Sequence, residues 1–224
     1  MAPKGRSDAG QAFPIYMVMV AGLLFLAFAF FAVGQASATR NGAQGAADAA
    51  ALAAAQDARD DLGAPLLEAL RSPDGLDRFL RLHQYGRIGC DRAQWLALDN
   101  DSDLDPSPSV PDGCVWDTGY LEDKVTARVR TRYTVGDSVI PGTERKHATA
   151  QATAVIKFRC SPEVRDIPDA EPGSDDEADK GSEANLPIVT LSDCGGRDIP
   201  IDLGNADPLA GLSKLIFAVQ LIDD

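Results

Sequence analysis

The feature that most constrains the fold is an uninterrupted apolar run near the start of the chain. From Phe13 to Val33 there are 21 residues without a charge, and a helix of this length spans about 30 Å, the thickness of the hydrocarbon layer of a bilayer. A helix in the core of a soluble protein is seldom apolar on every face over such a length. The run therefore predicts a transmembrane anchor with these large side chains directed at lipid: Phe13, Val20, Leu23, Leu24, Phe28 and Phe31.

The charges that flank the run predict the orientation of the anchor. Lys4 and Arg6 precede it, and Arg40 is the first charged residue after it. Because positive flanks stay in the cytoplasm, we expect a single-pass protein of the cell membrane with a cytoplasmic N-terminus and an extracytoplasmic C-terminal domain. The pattern Ala36-Ser37-Ala38 leaves a second fate open, which is cleavage by signal peptidase after Ala38. The run is longer than the apolar region of about 7–15 residues in a signal peptide, and this favours a retained anchor.

The net charge limits the classes of partner. The chain carries a net charge of −13, and since Lys4, Arg6 and Asp8 before the anchor sum to +1, the rest of the chain carries −14. An acidic chain without a basic stripe in its sequence repels phosphate backbones, so nucleic-acid binding is disfavoured. The same charge argues against a surface docked on anionic lipid.

Four cysteines, all beyond the anchor, agree with an oxidising, extracytoplasmic location. None of them forms a C-x-x-C metal pattern, so disulfides are expected. Three pairings are possible. The sequential pairing, Cys90 with Cys114 and Cys160 with Cys194, closes the shortest loops and is preferred. A bridge that closes a loop of about 25 residues stabilises a small domain by roughly 3–4 kcal/mol.

The remaining pattern predicts an α+β fold, with a long N-terminal transmembrane and Ala-rich helix followed by a small ectodomain of helices and an antiparallel sheet. Alanine favours helix from Ala46 to Asp61, while Gly42 and Gly45 weaken the junction with the anchor, so we expect one long helix or two nearly collinear ones. The predicted segments are a cytoplasmic N-terminus (1–12), the transmembrane helix (13–38), the Ala-rich extension (39–62), helices with a β-hairpin (63–160), a disordered acidic loop (161–185) and C-terminal strands (186–224).

Three shorter helices are predicted before the hairpin. The first follows Pro65, the second places His83 on an apolar face, and the third runs from Cys90 to about Leu98. The apolar positions at helical spacing are Leu66, Leu67 and Leu70 in the first helix and Leu76, Phe79 and Leu80 in the second. The acidic, Pro-rich stretch from Asp99 to Gly113 is predicted to be a loop.

Strict alternation predicts an antiparallel hairpin from Val125 to Phe158. On its first strand one face carries Val125, Ala127, Val129, Thr131, Tyr133 and Val135. On its second strand, from about Arg145 to Arg159, one face carries Ala148, Ala150, Ala152, Ala154, Ile156 and Phe158. The small alanines leave room for a helix against the sheet.

The C-terminal third combines an acidic stretch with short apolar runs. Asp166 to Asn185 holds one large aliphatic residue and no aromatic one, which predicts disorder. Leu186 to Leu191 is predicted to be a strand. The run from Leu215 to Ile222 is too short to span a bilayer, so we expect a strand that completes the sheet.

Candidate chemistry is sparse. Asp99, Asp101, Asp103 and Asp105 alternate as the oxygen ligands of a weak calcium loop would, although Leu104 stands where such a loop needs glycine. Such a loop also ends in a glutamate at its twelfth position, which is Val110 here. A solvated acidic loop is therefore the stronger interpretation.

The two histidines, His83 and His147, accompany no nucleophile motif, and neither a phosphate-binding glycine loop nor a zinc motif is present. The sequence therefore predicts a protein that is not an enzyme and needs no cofactor.

Two strings carry a resemblance to a known family. The stretch from Gly10 to Tyr16, followed by the apolar run and by the Ala-rich stretch from Thr39 to Ala55, resembles the TadE/TadG-like proteins of tight-adherence (Flp) pilus systems. The most specific residues are Ala46, Ala47, Asp48, Ala49, Ala50, Ala51 and Leu52. A fainter likeness to the TadE-like proteins of high-GC Gram-positive bacteria lies in Cys90, Ala93, Asn100, Cys114 and the strand from Val125.

The resemblance implies a pilin-like or pilus-assembly-associated membrane protein whose partners are lipid and other pilus or secretion subunits. Pilins cut by prepilin peptidase carry Glu at the fifth position after the cleavage point. After Gly10 that position is Ile15, so a retained assembly factor fits better than a processed pilin. The alternative function is a secreted or anchored acidic binding module, dependent on calcium.

Overall fold

The structure is a computed structural model that describes residues 12–72, 74–82, 85–136, 141–161, 164–166, 188–203 and 209–222. Its first element is a single helix of 50 residues, α1 (Ala12–Asp61). Gly42 and Gly45 do not interrupt it, so the first of the two expected forms is the one observed. The segments predicted as anchor and as Ala-rich extension thus lie in one continuous helix.

Four shorter α-helices follow within the described residues: α2 (Gly63–Leu70), α3 (Gly75–Leu82), α4 (Cys90–Asp99) and α5 (Leu209–Ile216), together with a short 3-10 helix (Pro111–Gly113). Helices α2 to α4 correspond to the three that the apolar spacing predicts. Helix α5 was not predicted. Leu212 and Ile216 are one helical turn apart and both are buried, so a helical period places them in the core.

Two antiparallel sheets are present in the described part of the chain, and the first has the strand order β1-β3-β4-β8, with β2 also paired to β3. Its strands are β1 (Ser102–Leu104), β2 (Cys114–Thr118), β3 (Glu122–Thr131), β4 (Thr149–Phe158) and β8 (Phe217–Ile222). The second sheet has the order β5-β6-β7. Its strands are β5 (Val164–Asp166), β6 (Ile188–Leu191) and β7 (Ile199–Asp202). These elements and α1 confirm the predicted α+β class.

Strands β3 and β4 confirm the predicted antiparallel pairing, with Val125 opposite Ala154 and Val129 opposite Ala150. The prediction that the first strand extends to Val135 is wrong, because regular pairing ends at Thr131. There the Thr131 hydroxyl donates to the carbonyl of Tyr133 (2.8 Å) and accepts from the amide of Ala148 (3.1 Å). A side chain thus takes the place of a backbone partner, and the Tyr133 side chain is exposed rather than buried.

Two further predictions need correction. The stretch from Asp99 to Gly113 is not all loop, since β1 lies in it and Ser102 pairs with Thr131. The last run is not a strand throughout, because Leu215 belongs to α5 and the strand begins at Phe217, opposite Phe158. As predicted, this strand completes the sheet.

Some predictions fall outside the described residues. They are the cytoplasmic N-terminus with Gly10, the whole of His83, the first two residues of the strand predicted from Leu186, and nearly all of the acidic stretch from Asp166 to Asn185.

The core lies between the C-terminal half of α1 and the first sheet. Helix α1 contacts β3, β4 and β8 on one side and α4 on another. We use "folded domain" for the C-terminal half of α1 together with the elements from α2 to β8.

Candidate membrane helix and its junction with the folded domain

The N-terminal half of α1 is almost bare. The six predicted anchor side chains, at Phe13, Val20, Leu23, Leu24, Phe28 and Phe31, are each between 54% and 70% exposed. Exposed apolar surface on this scale is unfavourable in water. Within the described residues, one helical stretch, beginning at Phe13, is long and apolar enough to cross a membrane. Its backbone hydrogen bonds are satisfied within the helix, as a lipid environment requires.

The C-terminal half of α1 is instead buried along one side by small residues. Alanines at helical spacing are each at most 1% exposed, namely Ala43, Ala46, Ala47, Ala50, Ala51, Ala54, Ala55 and Ala58. Of the other family-motif residues, Asp48, Ala49 and Leu52 are half-buried. The alanine side therefore lets the helix backbone approach the sheet and α4 closely. The alanines of β4 predicted room for a helix on the sheet, and this side of α1 fills it.

The approach of α4 to α1 is tight at Gly89. This residue precedes α4 with φ of +79°, and a Cβ placed on it would come within 2.9 Å of the Ala54 Cα atom. A glycine is therefore required at this position on two grounds, the left-handed backbone and the contact. At the other end of the junction, the Tyr133 hydroxyl lies where a Cβ of Gly42 would be, so Gly42 also serves packing.

A disulfide and an aromatic pair attach α4 to the sheet. Cys90 is bonded to Cys114, and Cys160 is bonded to Cys194, which is the sequential pairing. The Tyr85 and Trp116 rings stack with centroids 4.0 Å apart. The Trp116 indole N–H donates to the carbonyl of Ile88 at 2.9 Å. This connection holds the start of α4 over the β2–β3 pair.

Tyr85 also belongs to a buried polar pair that sequence analysis missed. Its hydroxyl donates to Oδ2 of Asp123 at 3.0 Å, and Oδ1 of Asp123 accepts from the amide of Gly119 at 3.0 Å. Tyr85 is 3% exposed and Asp123 is 6% exposed. Burial raises the pKa of the Tyr85 hydroxyl, and the nearby Asp123 charge raises it further. In the sequence, the only indication that Asp123 is buried is the alternation of β3, which places it on the same face as Val125.

We expect Tyr85→Phe to lower the free energy of unfolding by about 1–2 kcal/mol at pH 7, because it removes a hydrogen bond to a buried carboxylate. The raised pKa of Tyr85 stabilises the folded state below the unfolded pKa of about 10, and this contribution falls as the pH rises above that value. Above pH 10 the stability of the variant should therefore fall less steeply with pH than that of the wild type. Denaturant titrations at pH 7 and above pH 10 measure both effects.

Tyr120→Phe is the matched control, because the Tyr120 hydroxyl also donates to a carboxylate, Asp77, but at an exposed site. It should cost less than about 0.5 kcal/mol at pH 7. Equal losses in the two variants would contradict a special role for the buried pair.

An open groove runs along the outer side of α1, between this helix and α4. It is lined by Ala49, Leu52, Gln56 and Asp57 of α1 and by Trp95 of α4, among others. The Trp95 side chain is 52% exposed. The Arg92 guanidinium lies 4.5 Å from the centre of its ring, which holds the indole in place. A tryptophan left this accessible is a common feature of protein interfaces.

The structure does not bring the four candidate calcium ligands together. Asp99 ends α4, Asp101 lies in a turn, Asp103 is in β1 and Asp105 follows it. Oδ2 of Asp105 pairs with Arg128 at 2.6 Å. In the described ranges, no three His, Cys, Asp or Glu side chains are grouped as metal ligands.

His147 is held by the backbone. Its Nδ1 lies 2.7 Å from the carbonyl oxygen of Thr131 and 3.1 Å from that of Tyr133. Because carbonyl oxygens only accept, Nδ1 carries the hydrogen. The ring thus links the two strands at the point where regular β3–β4 pairing ends, and this is a structural role.

Comparison with known families identifies one part of the chain. Residues 10–57 match the family model of Flp pilus-assembly TadE/G-like proteins. This confirms the resemblance over the segment that contains both the bare apolar half of α1 and its buried alanine stripe. Comparisons with curated proteins and with solved structures found no match to this chain.

Proposed function

We propose that the chain is a membrane-retained, non-enzymatic component of a tight-adherence (Flp) pilus or secretion apparatus. In this proposal the apolar half of α1 spans the cell membrane once, the N-terminus is cytoplasmic, and the folded domain is extracytoplasmic. Its role is structural: α1 holds the folded domain at the membrane, where the domain contacts other subunits.

One observation carries this proposal. The segment that matches the pilus-assembly family model, residues 10–57, is nearly coextensive with α1. Its first half carries exposed apolar side chains, which suit a lipid environment, and its second half is core of the folded domain. The segment is therefore suited to joining a membrane to an exported domain, and the two disulfides suit an oxidising compartment.

Two features support a binding role toward other subunits. The groove between α1 and α4 exposes Trp95 beside the half-buried Leu52. It opens on the same helix that enters the membrane, so another anchored subunit could reach it. The described side chains include no grouped metal ligands, so we do not propose the calcium-dependent alternative.

Complementation in the native cell tests the proposal. Deletion of the gene should abolish surface filaments or secretion, and the full-length chain should restore them. A variant in which residues 1–38 are replaced by a cleavable signal peptide should release the folded domain into the medium and fail to restore them. As a control, an unrelated single-pass helix of the same length joined at Thr39 should keep the domain at the membrane and restore at least part of the function.

Restoration by the released domain would overturn membrane retention, and unchanged filaments and secretion after deletion would overturn the pilus role. Intact mass of the membrane fraction gives the mature N-terminus, expected near Met1. A tag after Asp224 should be accessible to antibody on spheroplasts, whereas a tag before Met1 should be accessible only after permeabilisation. The reverse result would overturn the orientation.

A further inference from the structure

We infer that the end of the β3–β4 hairpin lies in the lipid headgroup layer and binds anionic lipid headgroups. We call this part the basic arm, residues 132–136 and 141–148. Its lipid contacts are Arg145 and Lys146, together with Arg40 of α1. This inference rests on the proposed membrane retention of α1 and goes beyond it, because it adds a second contact between the protein and the bilayer.

The far end of β3 lies level with the middle of the buried half of α1. Gly89 is in contact with the backbone of Ala54. The residue before Gly89, Ile88, accepts the indole hydrogen bond of Trp116, and Trp116 is paired with Val125 of β3. Val125 therefore lies near the level of Ala54 along the helix.

The near end of β3 lies closer to the membrane half of α1. Tyr133, eight residues after Val125, touches Gly42, which is twelve residues before Ala54. Strand β3 therefore runs antiparallel to α1, and the hairpin points toward the apolar half of the helix.

The hairpin continues past Tyr133. The amide of Val135 donates to the carbonyl of Lys146 at 3.0 Å, and the amide of Gly136 donates to that of Glu144 at 3.3 Å. Lys146 is therefore level with Val135, and Arg145 is still closer to the end of the arm.

Helix and strand geometry together give the height of the arm above the bilayer. Twelve helical residues cover about 18 Å, and the eight residues from Val125 to Tyr133, which are strand up to Thr131, cover about 27 Å when extended. Each strand residue therefore advances about 2.2 Å along the helix axis. Gly42 lies about 14 Å beyond Val33, the last residue of the apolar run. Gly136, three residues after Tyr133, is then about 7 Å beyond Val33. The headgroup layer is about 5–7 Å thick on each side of the hydrocarbon, so the arm reaches it.

The charges of the arm suit an anionic surface. Arg40, Arg145 and Lys146 are exposed and form no ion pair within the part of the chain that the structure describes. Arg128, before the arm, is paired with Asp105, and Arg132, the first residue of the arm, is paired with Asp103. The one acidic side chain described in the arm, Glu144, accepts a hydrogen bond from the amide of Gly142.

The net charge of −13 argued against docking on anionic lipid, but it is an average over the chain. Asp57, Asp60 and Asp61 lie at least 36 Å beyond Val33 along α1, by a rise of about 1.5 Å per residue. The Debye length is about 8–10 Å at physiological ionic strength, so these carboxylates barely affect the headgroup layer. Only charges near the bilayer decide the contact, and among the described residues the fold places three cations there against one carboxylate, Glu144.

The test uses the full-length protein in nanodiscs that contain mixtures of phosphatidylglycerol and phosphatidylcholine. Spin-labelled analogues of both lipids report the selectivity of the protein surface for the anionic one. Each cation near an anionic surface strengthens binding about fivefold, so R145Q with K146Q should lower the selectivity by up to about thirtyfold. Amide hydrogen exchange of residues 141–148 should be slower in phosphatidylglycerol-rich discs than in pure phosphatidylcholine.

The matched control is R78Q with K214Q, which removes one arginine and one lysine from exposed positions on α3 and α5. Helix α5 contacts α2, which follows the far end of α1, so these cations lie away from the bilayer. The control should leave selectivity and exchange unchanged, and both double variants should unfold at the same temperature as the wild type.

Failure to insert into nanodiscs through α1 would contradict the proposed membrane retention itself. Insertion without selectivity for phosphatidylglycerol, or selectivity that persists in R145Q with K146Q, would overturn the basic arm alone. Equal loss in the control would show a general charge effect and would also overturn it.

Discussion

Ala54→Leu should lower the free energy of unfolding of the folded domain by about 3 kcal/mol, the upper end of the range for overpacking a core. Ala54 has no exposed surface, and its backbone is already in contact with Gly89. Three added carbon atoms have no space to occupy, so α1 must move away from α4 or from the sheet. Denaturant titration in detergent, followed by tryptophan fluorescence, measures the loss.

Ala49→Leu is the control on the same helix. Ala49 lines the open groove, so the same side chain fits there without displacing a neighbour. Both substitutions change helix propensity equally, and the difference between them isolates packing. We expect Ala49→Leu to change stability by less than about 0.5 kcal/mol. Similar losses at the two positions would contradict the close approach of α1 that the structure shows.

Removal of the Cys90–Cys114 disulfide by replacing both cysteines with alanine should cost about 3.5 kcal/mol on the chain-entropy estimate. The bridge closes a loop with a sequence separation of 24. It also holds the start of α4 against β2, beside the stacked Tyr85 and Trp116 rings. The near-ultraviolet circular dichroism of this aromatic pair should therefore weaken along with the stability.

The double alanine variant of Cys160 and Cys194 gives the comparison. Its loop, with a sequence separation of 34, predicts a similar loss of about 3.8 kcal/mol. This bridge joins the end of β4 to the segment after β6, so the signal of the Tyr85–Trp116 pair should remain. Peptide mapping of the non-reduced protein checks the pairing, and a bridge between Cys90 and Cys160 would contradict the structure.

Features that depend on local pattern could be predicted from the sequence. The apolar run from Phe13 predicted a helix, and the alternation from Val125 predicted a strand. The alanines of β4 indicated that the sheet has room for a helix against it. Each of these signals repeats over many residues, so one irregular position does not hide it.

Features that depend on single long-range contacts could not be predicted. The early end of β3 follows from the Thr131 hydroxyl, and strand β1 forms because Ser102 meets Thr131 across the sheet. The pairing of Tyr85 with Asp123 joins residues 38 apart in the sequence. None of these contacts produces a periodic pattern in the sequence. Around Ser102 the acidic, proline-rich composition instead predicted a loop.

The basic arm illustrates the same distinction for function. The chain has an average charge that disfavours anionic surfaces, and its cations are scattered along the sequence. Only the antiparallel course of β3 along α1 directs Arg145 and Lys146 toward the apolar half of that helix, and the proposal depends on this. Composition therefore argues against anionic lipid, whereas the proposed position of the basic arm favours it.

In the proposed topology, the continuity of α1 makes the position of the folded domain depend on the thickness of the bilayer. Transmembrane helices tilt by about 20° on average, and a helix tilts further where the hydrocarbon layer is thinner than its apolar run. From Val33 to Asp61 the helix extends a further 42 Å or so, and without a hinge this part tilts by the same angle. A tilt of about 20° then displaces the far end of the domain by roughly 14 Å parallel to the membrane. Local thinning or thickening of the lipid thus shifts the groove beside Trp95 sideways relative to neighbouring proteins.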